Sequence, residues 1–553
     1  MPTIAKTIIH FLEAQAISQI WGVPGESYLA VLDALVDSDI MFHNTRHEGA
    51  ASMAAEAEGK LKGRPGVAFV TRGPGAMNAA HGVHIAQHDN TPMLLFIGQV
   101  PHRLKGRGAF QEMDYHAVFG SIAKAVITLD DPSRVALDLQ RGWKTALEGR
   151  GGPVVFVLPE DCLHLEATPY SFMPIHRAHI KPHEADIQLF LKTLKRALRP
   201  ILIVGGSQFS SEGVKALESF SHYTALPICC SFRRQHYFNH HHPYYAGDLG
   251  HGCNPALLGR IKAADMIILL GAELEEVPSQ GYSLLDKPYS RQKIVVIGHE
   301  SQRTSWLNPF MHIHAYGDDA MIAIEAQLPH FEESKKLQER YDGEDMHMAY
   351  ETWSSPRMRD DEEHDDTLHL DQILSDLGNQ LPQDTIMTNG AGNYALWLHR
   401  YYPFTQYGTQ LAPVCGSMGY GLPAGLAAQA VHPERKVVVL AGDGCLQMSM
   451  NELITAKSLG LNIIILVFNN GSYGTIRAHQ ERYFPNRVSG TILHNPDFVK
   501  TAEAAGFGAT RVHNRPAFLS ALETALTHSQ NAPYLIELMC DLTQISPAMR
   551  LDG

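Results

Sequence analysis

Short aliphatic runs of strand length alternate with longer stretches whose apolar residues recur every three or four positions, and this alternation repeats in three blocks of the chain. In the first block the runs at 66–70, 93–97 and 153–157 are almost continuously apolar. In the second, 200–204, 266–270 and 293–297 have the same character, and in the third 436–440 and 462–468 do. A strand exposed on one face would alternate polar and apolar residues. Unbroken runs instead predict parallel sheets covered on both faces by the intervening helices. The pattern therefore predicts an α/β protein of three doubly wound parallel-sheet domains, placed at 1–167, 185–332 and 367–545. A linker at 333–366 carries an acidic run over its last seven residues, Asp360 to Asp366, which reads as a solvated connector.

Composition narrows the function. At 553 residues, with 44% hydrophobic and 19% charged residues, the chain can bury several cores, which excludes disordered and fibrous classes. Lys and Arg total 45 against 58 Asp and Glu, a net charge of −13, so there is no basic surface for nucleic acid. Seven cysteines form no Cys-x-x-Cys, which argues against a zinc site or a disulfide framework and makes the cytoplasm the expected location. His10, Glu13 and Gln15 interrupt the first helical stretch, so no leader peptide is expected. No apolar run approaches the ~20 residues of a membrane span.

The chemistry concentrates at predicted strand ends. Gly442-Asp443-Gly444 directly follows the run 436–440, and Asn469-Asn470 directly follows 462–468. Ligands of open parallel sheets bind at the carboxyl edge, where flanking glycines let backbone N–H groups approach a phosphate. Asp443 and Asn470 supply the oxygen donors a magnesium ion prefers. Far upstream, Arg46-His47-Glu48 opens an Ala-rich helical stretch with a carboxylate in its first turn.

With 24 residues between Gly444 and Asn469, this pairing resembles the diphosphate-anchoring motif of thiamine-diphosphate-dependent enzymes. Pro24-Gly25 resembles the family's first loop, and Thr71 to Asn78 its next strand-to-helix turn. Ala109-Phe110-Gln111-Glu112 and Gly416-Ser417-Met418-Gly419 resemble its acetolactate-synthase branch. The resemblance implies a pyrimidine-binding, a Rossmann-like middle and a diphosphate-binding domain, in that order. It also implies an active site between the first domain of one subunit and the third of another, hence a homodimer as minimal unit and a homotetramer as the expected assembly. It places Glu48 against the cofactor's aminopyrimidine ring, Phe110 and Gln111 beside the reacting centre, and Met418 beneath the cofactor as an apolar wedge. Asp443, Asn470 and the Ser472 carbonyl would hold Mg2+. Pro24, Gly25, Gly390, Ala391, Gly392, Asn393, Gly416, Gly442, Gly444, Cys445, Tyr473, Gly474 and Thr475 would complete the cofactor site. The implied activity is a thiamine-diphosphate- and Mg-dependent C–C lyase or carboligase acting on 2-oxo acids or aldehydes.

Departures from the family bear on the substrate. The bulky Trp that follows the Asn-Asn turn in true acetolactate synthases falls on His479, and their middle-domain Arg falls on Glu273; both changes disfavour biosynthetic acetolactate formation. Arg477 or His479 either meets an acidic substrate or is a solvated helix residue. A 2-hydroxyacyl-CoA lyase, an FAD-linked 2-oxo acid oxidase and a cofactor-binding subunit without turnover are the alternatives. Gly205-Gly206 lacks the full Gly-x-Gly-x-x-Gly pattern, so FAD or another nucleotide in the middle domain is possible and not favoured. His240-His241-His242 reads as a polar loop. His81, His84 and His88 share one helical face beside Asp89.

Overall fold

The computed structural model describes residues 1–207, 209–285, 291–299, 303–328, 341–357 and 367–551. Its strands form three six-stranded sheets in which every ladder is parallel. The first holds β1 (Gln19–Gly22), β2 (Met41–Asn44), β3 (Gly66–Val70), β4 (Met93–Gln99), β5 (Ala125–Thr128) and β6 (Pro153–Pro159), in the order β2-β1-β3-β4-β6-β5. The second holds β7 (Pro200–Val204), β8 (Ile228–Ser231), β9 (Tyr245–Leu249), β10 (Met266–Leu270), β11 (Lys293–Ile297) and β12 (Met311–Ile313). Its order, β12-β11-β10-β7-β8-β9, is that of a dinucleotide-binding fold. The third holds β13 (Ile386–Asn389), β14 (Gln410–Leu411), β15 (Val437–Gly442), β16 (Ile464–Asn469), β17 (Gly508–Val512) and β18 (Tyr534–Met539), ordered β14-β13-β15-β16-β18-β17. The first and third sheets thus share one topology, which gives physical content to their similar layouts in the sequence. β3, β4, β6, β7, β10 and β13 are buried along their whole length, as unbroken apolar runs require.

The helix Glu48–Lys62 joins the first domain to the third. It is capped by His47, whose Nδ1 accepts from the Gly49 N–H at 3.0 Å, and it ends at Gly63 in a left-handed conformation (φ 60°). Its alanines at 51, 54, 55 and 57 are fully buried, and their cluster runs without interruption into Leu422, Val439 and Ile465 of the third domain. A stripe of small side chains permits this close helix contact.

At the far end of the same helix the three domains meet around two buried carboxylates. Asp89 accepts from Lys60 Nζ at 3.0 Å, Arg234 Nη2 at 3.2 Å and the Val414 N–H at 3.1 Å, one donor from each domain. Glu56 accepts from Lys60 at 3.0 Å, Thr91 at 2.6 Å and the Tyr420 hydroxyl at 2.6 Å. Burial alone would push both carboxyls up, and it does so for Glu56. For Asp89 the two cations and the amide outweigh burial and hold it below its ordinary value. Beside the cluster lies a cavity of about 350 Å3.

Two stretches differ from their appearance in the sequence. Within 333–366 the helix Gly343–Ser354 packs on the middle domain, with His347 Nδ1 3.1 Å from the Tyr245 carbonyl, while the acidic run at 360–366 lies outside the described residues. In the histidine run only His241 is exposed. His240 is 1% exposed, stacked 4.1 Å from the Tyr245 ring; its Nε2 donates to the Gln235 carbonyl, and its Nδ1 accepts from the Tyr350 hydroxyl. A single histidine can be drawn into the core when both ring nitrogens find partners there.

Two predictions follow from these buried groups. Lys60→Met leaves Glu56 and Asp89 without their shared cation and is expected to cost about 3–5 kcal/mol in chemical denaturation. Burial holds His240 down at about 3, against 6.5 for an ordinary histidine. Its neutral form therefore contributes stability that is complete above pH 6.5 and is lost as pH falls toward 3. The thermal midpoint should drop more steeply below pH 6.5 in the parent chain than in His240→Gln.

Candidate functional site

Parallel strands leave their carboxyl ends on one edge of a sheet, and in the third domain four of them converge there. Ala391, Gly392 and Asn393 follow β13; Gly442, Asp443 and Gly444 close β15; Asn470 follows β16; Cys540 follows β18. Together with Gly416, Met418, Ser472, Tyr473, Gly474 and Thr475 they line a cavity of about 270 Å3. Of the residues assigned from sequence to the diphosphate side, only Gly390 stands back from this cavity. Its N–H donates to the Tyr394 hydroxyl at 3.1 Å, and its carbonyl accepts from Arg233 at 3.1 Å.

Asp443 is 3% exposed. Its carboxylate accepts from the Gly444 N–H at 2.8 Å, the Gly471 N–H at 2.9 Å and the Asn495 amide at 2.8 Å. Burial pushes this carboxyl up, against the pull of the Asn495 amide and the two N–H groups. Asn470 turns its Oδ1 onto the Ser472 N–H at 3.0 Å. The glycine at 444 is a matter of space, because a Cβ there would lie 2.6 Å from Cε1 of Tyr473. Asn393 is the one conspicuously incomplete group of the lining. Its Oδ1 accepts from the Thr475 hydroxyl at 2.9 Å, while its buried Nδ2 donates to no atom of the described chain.

The charge of the lining is unusual for an anion site. Among the described residues it contains no lysine, arginine or histidine; one carboxylate, several backbone and side-chain amides and an apolar wall of Met418, Trp397, Phe468 and Ile476 make it up. An oxyanion entering here meets donors but no countercharge. The buried carboxylate and the amide and carbonyl oxygens around it fit a hard divalent cation that would supply that charge.

The pyrimidine-side residues lie elsewhere. Glu48, at the start of its helix, is half-buried; its Oε2 accepts from Asn78 Nδ2 at 2.9 Å, and its Oε1 faces Gly75. Gly25 packs on Thr71 and Pro24 is exposed. Phe110 is 77% exposed, and Gln111 adopts φ 64° over Gly73. None of these lines the diphosphate-side cavity of the same chain. His81 reaches across to the third domain, its Nε2 2.5 Å from the Ser417 hydroxyl, and joins the domain contact next to Met418.

Leu370, Tyr394, Trp397, Asn495, Gln544 and Ile545 border or brace the site without having been read from sequence. Cys540 was legible in principle, since it directly follows a strand. Arg477 is tied to Glu481 four residues on, at 2.7 and 2.8 Å, and His479 stacks on Tyr483 at the surface. In the middle domain Glu273 and Glu275 approach Arg150 and Arg303 at 3.0–3.9 Å. The crevice they border beside Gly206 measures about 40 Å3, while the cavity of about 350 Å3 at the domain junction takes in Ser207, Ser210 and Glu212 on the other side of the same turn. No helix among the described residues is long and apolar enough to cross a membrane.

Three α/β domains, with a cavity of one carboxylate, several amides and an apolar wall on the carboxyl edge of the last sheet, define a multidomain cofactor-binding enzyme scaffold. Residues 2–118 match the N-terminal TPP binding domain of thiamine pyrophosphate enzymes, residues 187–320 their central domain and residues 390–538 their C-terminal TPP binding domain. The chain belongs to the thiamine pyrophosphate enzymes. It is 29% identical over 537 residues to the acetolactate synthase large subunit of Corynebacterium glutamicum, covering 95% of this chain and 84% of that protein. It is 28% identical to the acetolactate synthase isozyme 2 large subunit of Escherichia coli, covering 97% and 95% respectively. A probable acetolactate synthase large subunit of Methanocaldococcus jannaschii is likewise 28% identical, with 99% and 94% covered.

Proposed function

We propose that the chain is a thiamine-diphosphate- and Mg2+-dependent C–C lyase or carboligase acting on 2-oxo acids or aldehydes, similar to acetolactate synthase. The observation that carries this reading is the cation-free cavity around Asp443. A diphosphate placed there needs a metal to neutralise it, and Asp443, Asn470 and the Ser472 carbonyl, which the family resemblance assigns to that metal, belong to residues lining the cavity. Gly442, Gly444, Ala391, Gly392 and Gly416 leave room for the diphosphate, and the unpartnered Asn393 amide would donate to it. When bound, thiamine diphosphate supplies an electron sink for the charge left on a carbonyl carbon as a C–C bond breaks.

The chain's own residues do the rest. Glu48 is a carboxylate oriented by Asn78 through its Oε2, able to hold or pass a proton at its Oε1, which lies beside Gly75. Met418, Trp397, Phe468 and Ile476 keep water from the apolar wall of the cavity. Phe110 and Gln111 stand on an exposed loop, positioned to cover a site formed with a second copy of the chain. The separation of Glu48 from the Asp443 cavity within one chain supports a homodimer as the catalytic unit, and a homotetramer is compatible with it. The tie between Arg477 and Glu481 leaves that arginine engaged, which supports a small substrate whose tail meets Ile476 and Met418.

The experiment that tests the assignment is incubation with thiamine diphosphate, Mg2+ and a panel of 2-oxo acids and aldehydes, following carbon dioxide and ketol products separately. No turnover of any member would overturn it. Glu48→Gln is expected to keep cofactor binding while lowering turnover at least ~100-fold, in line with the loss of a positioned acid or base. Asn393→Asp keeps the acceptor for Thr475 and replaces the free donor by an oxygen. Calorimetry should show thiamine diphosphate bound about 10- to 100-fold more weakly, the loss expected for one hydrogen bond to a charged group, with the thermal midpoint of the unliganded chain unchanged.

A further inference from the structure

Three neighbouring strands of the first sheet, β4, β6 and β5, deliver a second set of metal-binding side chains to their carboxyl ends. His102 follows β4, Asp161 and Cys162 follow β6, and Asp130 follows β5. His102 Nδ1 lies 3.2 Å from Cys162 Sγ and 3.8 Å from Asp161 Oδ1, and Sγ lies 3.8 Å from the same Oδ1. A tetrahedral ion with metal–sulfur bonds of ~2.3 Å and metal–nitrogen or metal–oxygen bonds of ~2.0 Å holds its ligand atoms about 3.3–3.6 Å apart. The three atoms already form such a triangle to within about half an ångström.

The surroundings orient all three ligands. The other ring nitrogen of His102, Nε2, is 3.3 Å from Asp130 Oδ2, the carboxylate–histidine arrangement that fixes the ring and makes the facing nitrogen a stronger ligand. Asp161 is steered by the His102 N–H, which donates to both carboxylate oxygens at 3.0 Å. Cys162 is 5% exposed, so its sulfur is held in place beside His102 and Asp161. His102 and Asp161 are exposed, and a cavity of about 780 Å3 opens against His102, so an ion has both a route in and room for a fourth ligand from solvent.

We propose that His102, Asp161 and Cys162 form a zinc site, with Asp130 supporting His102 and the fourth position open to water. Thiolate, imidazole and carboxylate together are the donor set of zinc rather than of magnesium. On binding, the sulfur–hydrogen bond of Cys162 gives way to a sulfur–metal bond, and the proton passes to solvent. The site differs in sheet, donor type and chain segment from the Asp443 cavity. It lies at the root of the 102–114 segment that carries Phe110 and Gln111, so an ion there would pin one end of that loop.

The test uses the full chain loaded with thiamine diphosphate and Mg2+, exchanged into buffer with micromolar free Zn2+ and analysed for metal. One zinc per chain is expected, absent from both His102→Ala and Cys162→Ala, and bound about 10- to 100-fold more weakly by Asp130→Asn. His102 is 43% exposed, so its removal tests the site without opening the core that buried Cys162 helps fill. Co2+ as spectroscopic substitute should give a thiolate-to-metal absorption band in the parent chain and none in Cys162→Ala. That comparison assigns the band, because Cys445 and Cys540 border the other cavity. No bound zinc, zinc retained in both variants, or a cobalt spectrum without the thiolate band would each overturn the proposal.

Discussion

The arrangement of the three domains turns on Asp89. A carboxylate with no exposed surface is costly to bury, and the cost is offset only when Lys60, Arg234 and the Val414 amide all reach it. Those donors come from three separate domains, so a partly docked arrangement would strand an unpaired charge in the interior. Glu56 and Tyr420 extend the same condition to the helix contact between the first and third domains. The cluster therefore selects one relative orientation more than it adds to net stability. Arg233, next in sequence to Arg234, reinforces the choice by donating to the carbonyls of Pro413 and Gly390 in the third domain.

That orientation has a consequence for the site. Glu48 and Lys60 stand at opposite ends of one helix, about 18 Å apart along its axis at ~1.5 Å per residue. The end bearing Lys60 is locked into the junction, which fixes the direction in which the end bearing Glu48 projects. There the carboxylate is half-buried and separated from the Asp443 cavity of its own chain. The proposed catalytic unit accords with this geometry: Glu48 does not line the Asp443 cavity of its own chain, and on the proposed reading a second copy would bring the two together.

Much of this was readable in the sequence because the signals were local. Unbroken apolar runs announced buried parallel strands, and Gly442-Asp443-Gly444 and Asn469-Asn470 sat where such strands end. What escaped was decided by tertiary contact. Asn495 braces Asp443 from 52 residues away, and Gln544 and Ile545 close the cavity from a tail with no motif. His240 looked like one of three equivalent loop histidines until Tyr245, Gln235 and Tyr350 supplied a stacking face and two hydrogen-bond partners. Cysteine spacing carries no trace of the proposed zinc site either, since only sheet topology brings His102, Asp161 and Cys162 together across 60 residues.

The same distinction between local and tertiary information governs substrate choice on the proposed reading. Arg477 sits on the helix that leaves the Asn470 turn, where sequence alone leaves it free to grip a substrate carboxylate. Glu481, one helical turn later, already takes the Nε and Nη2 edge of its guanidinium on one carboxylate oxygen, so an acidic substrate tail would meet a charge that is already partly neutralised. Ile476, 53% exposed at the cavity wall, and Met418 present apolar surface instead. Discrimination among 2-oxo acids would then rest on tail volume and hydrophobicity. Such pockets separate neighbouring homologues by about 1–3 kcal/mol per methylene, which makes modest selectivity the natural outcome of this wall.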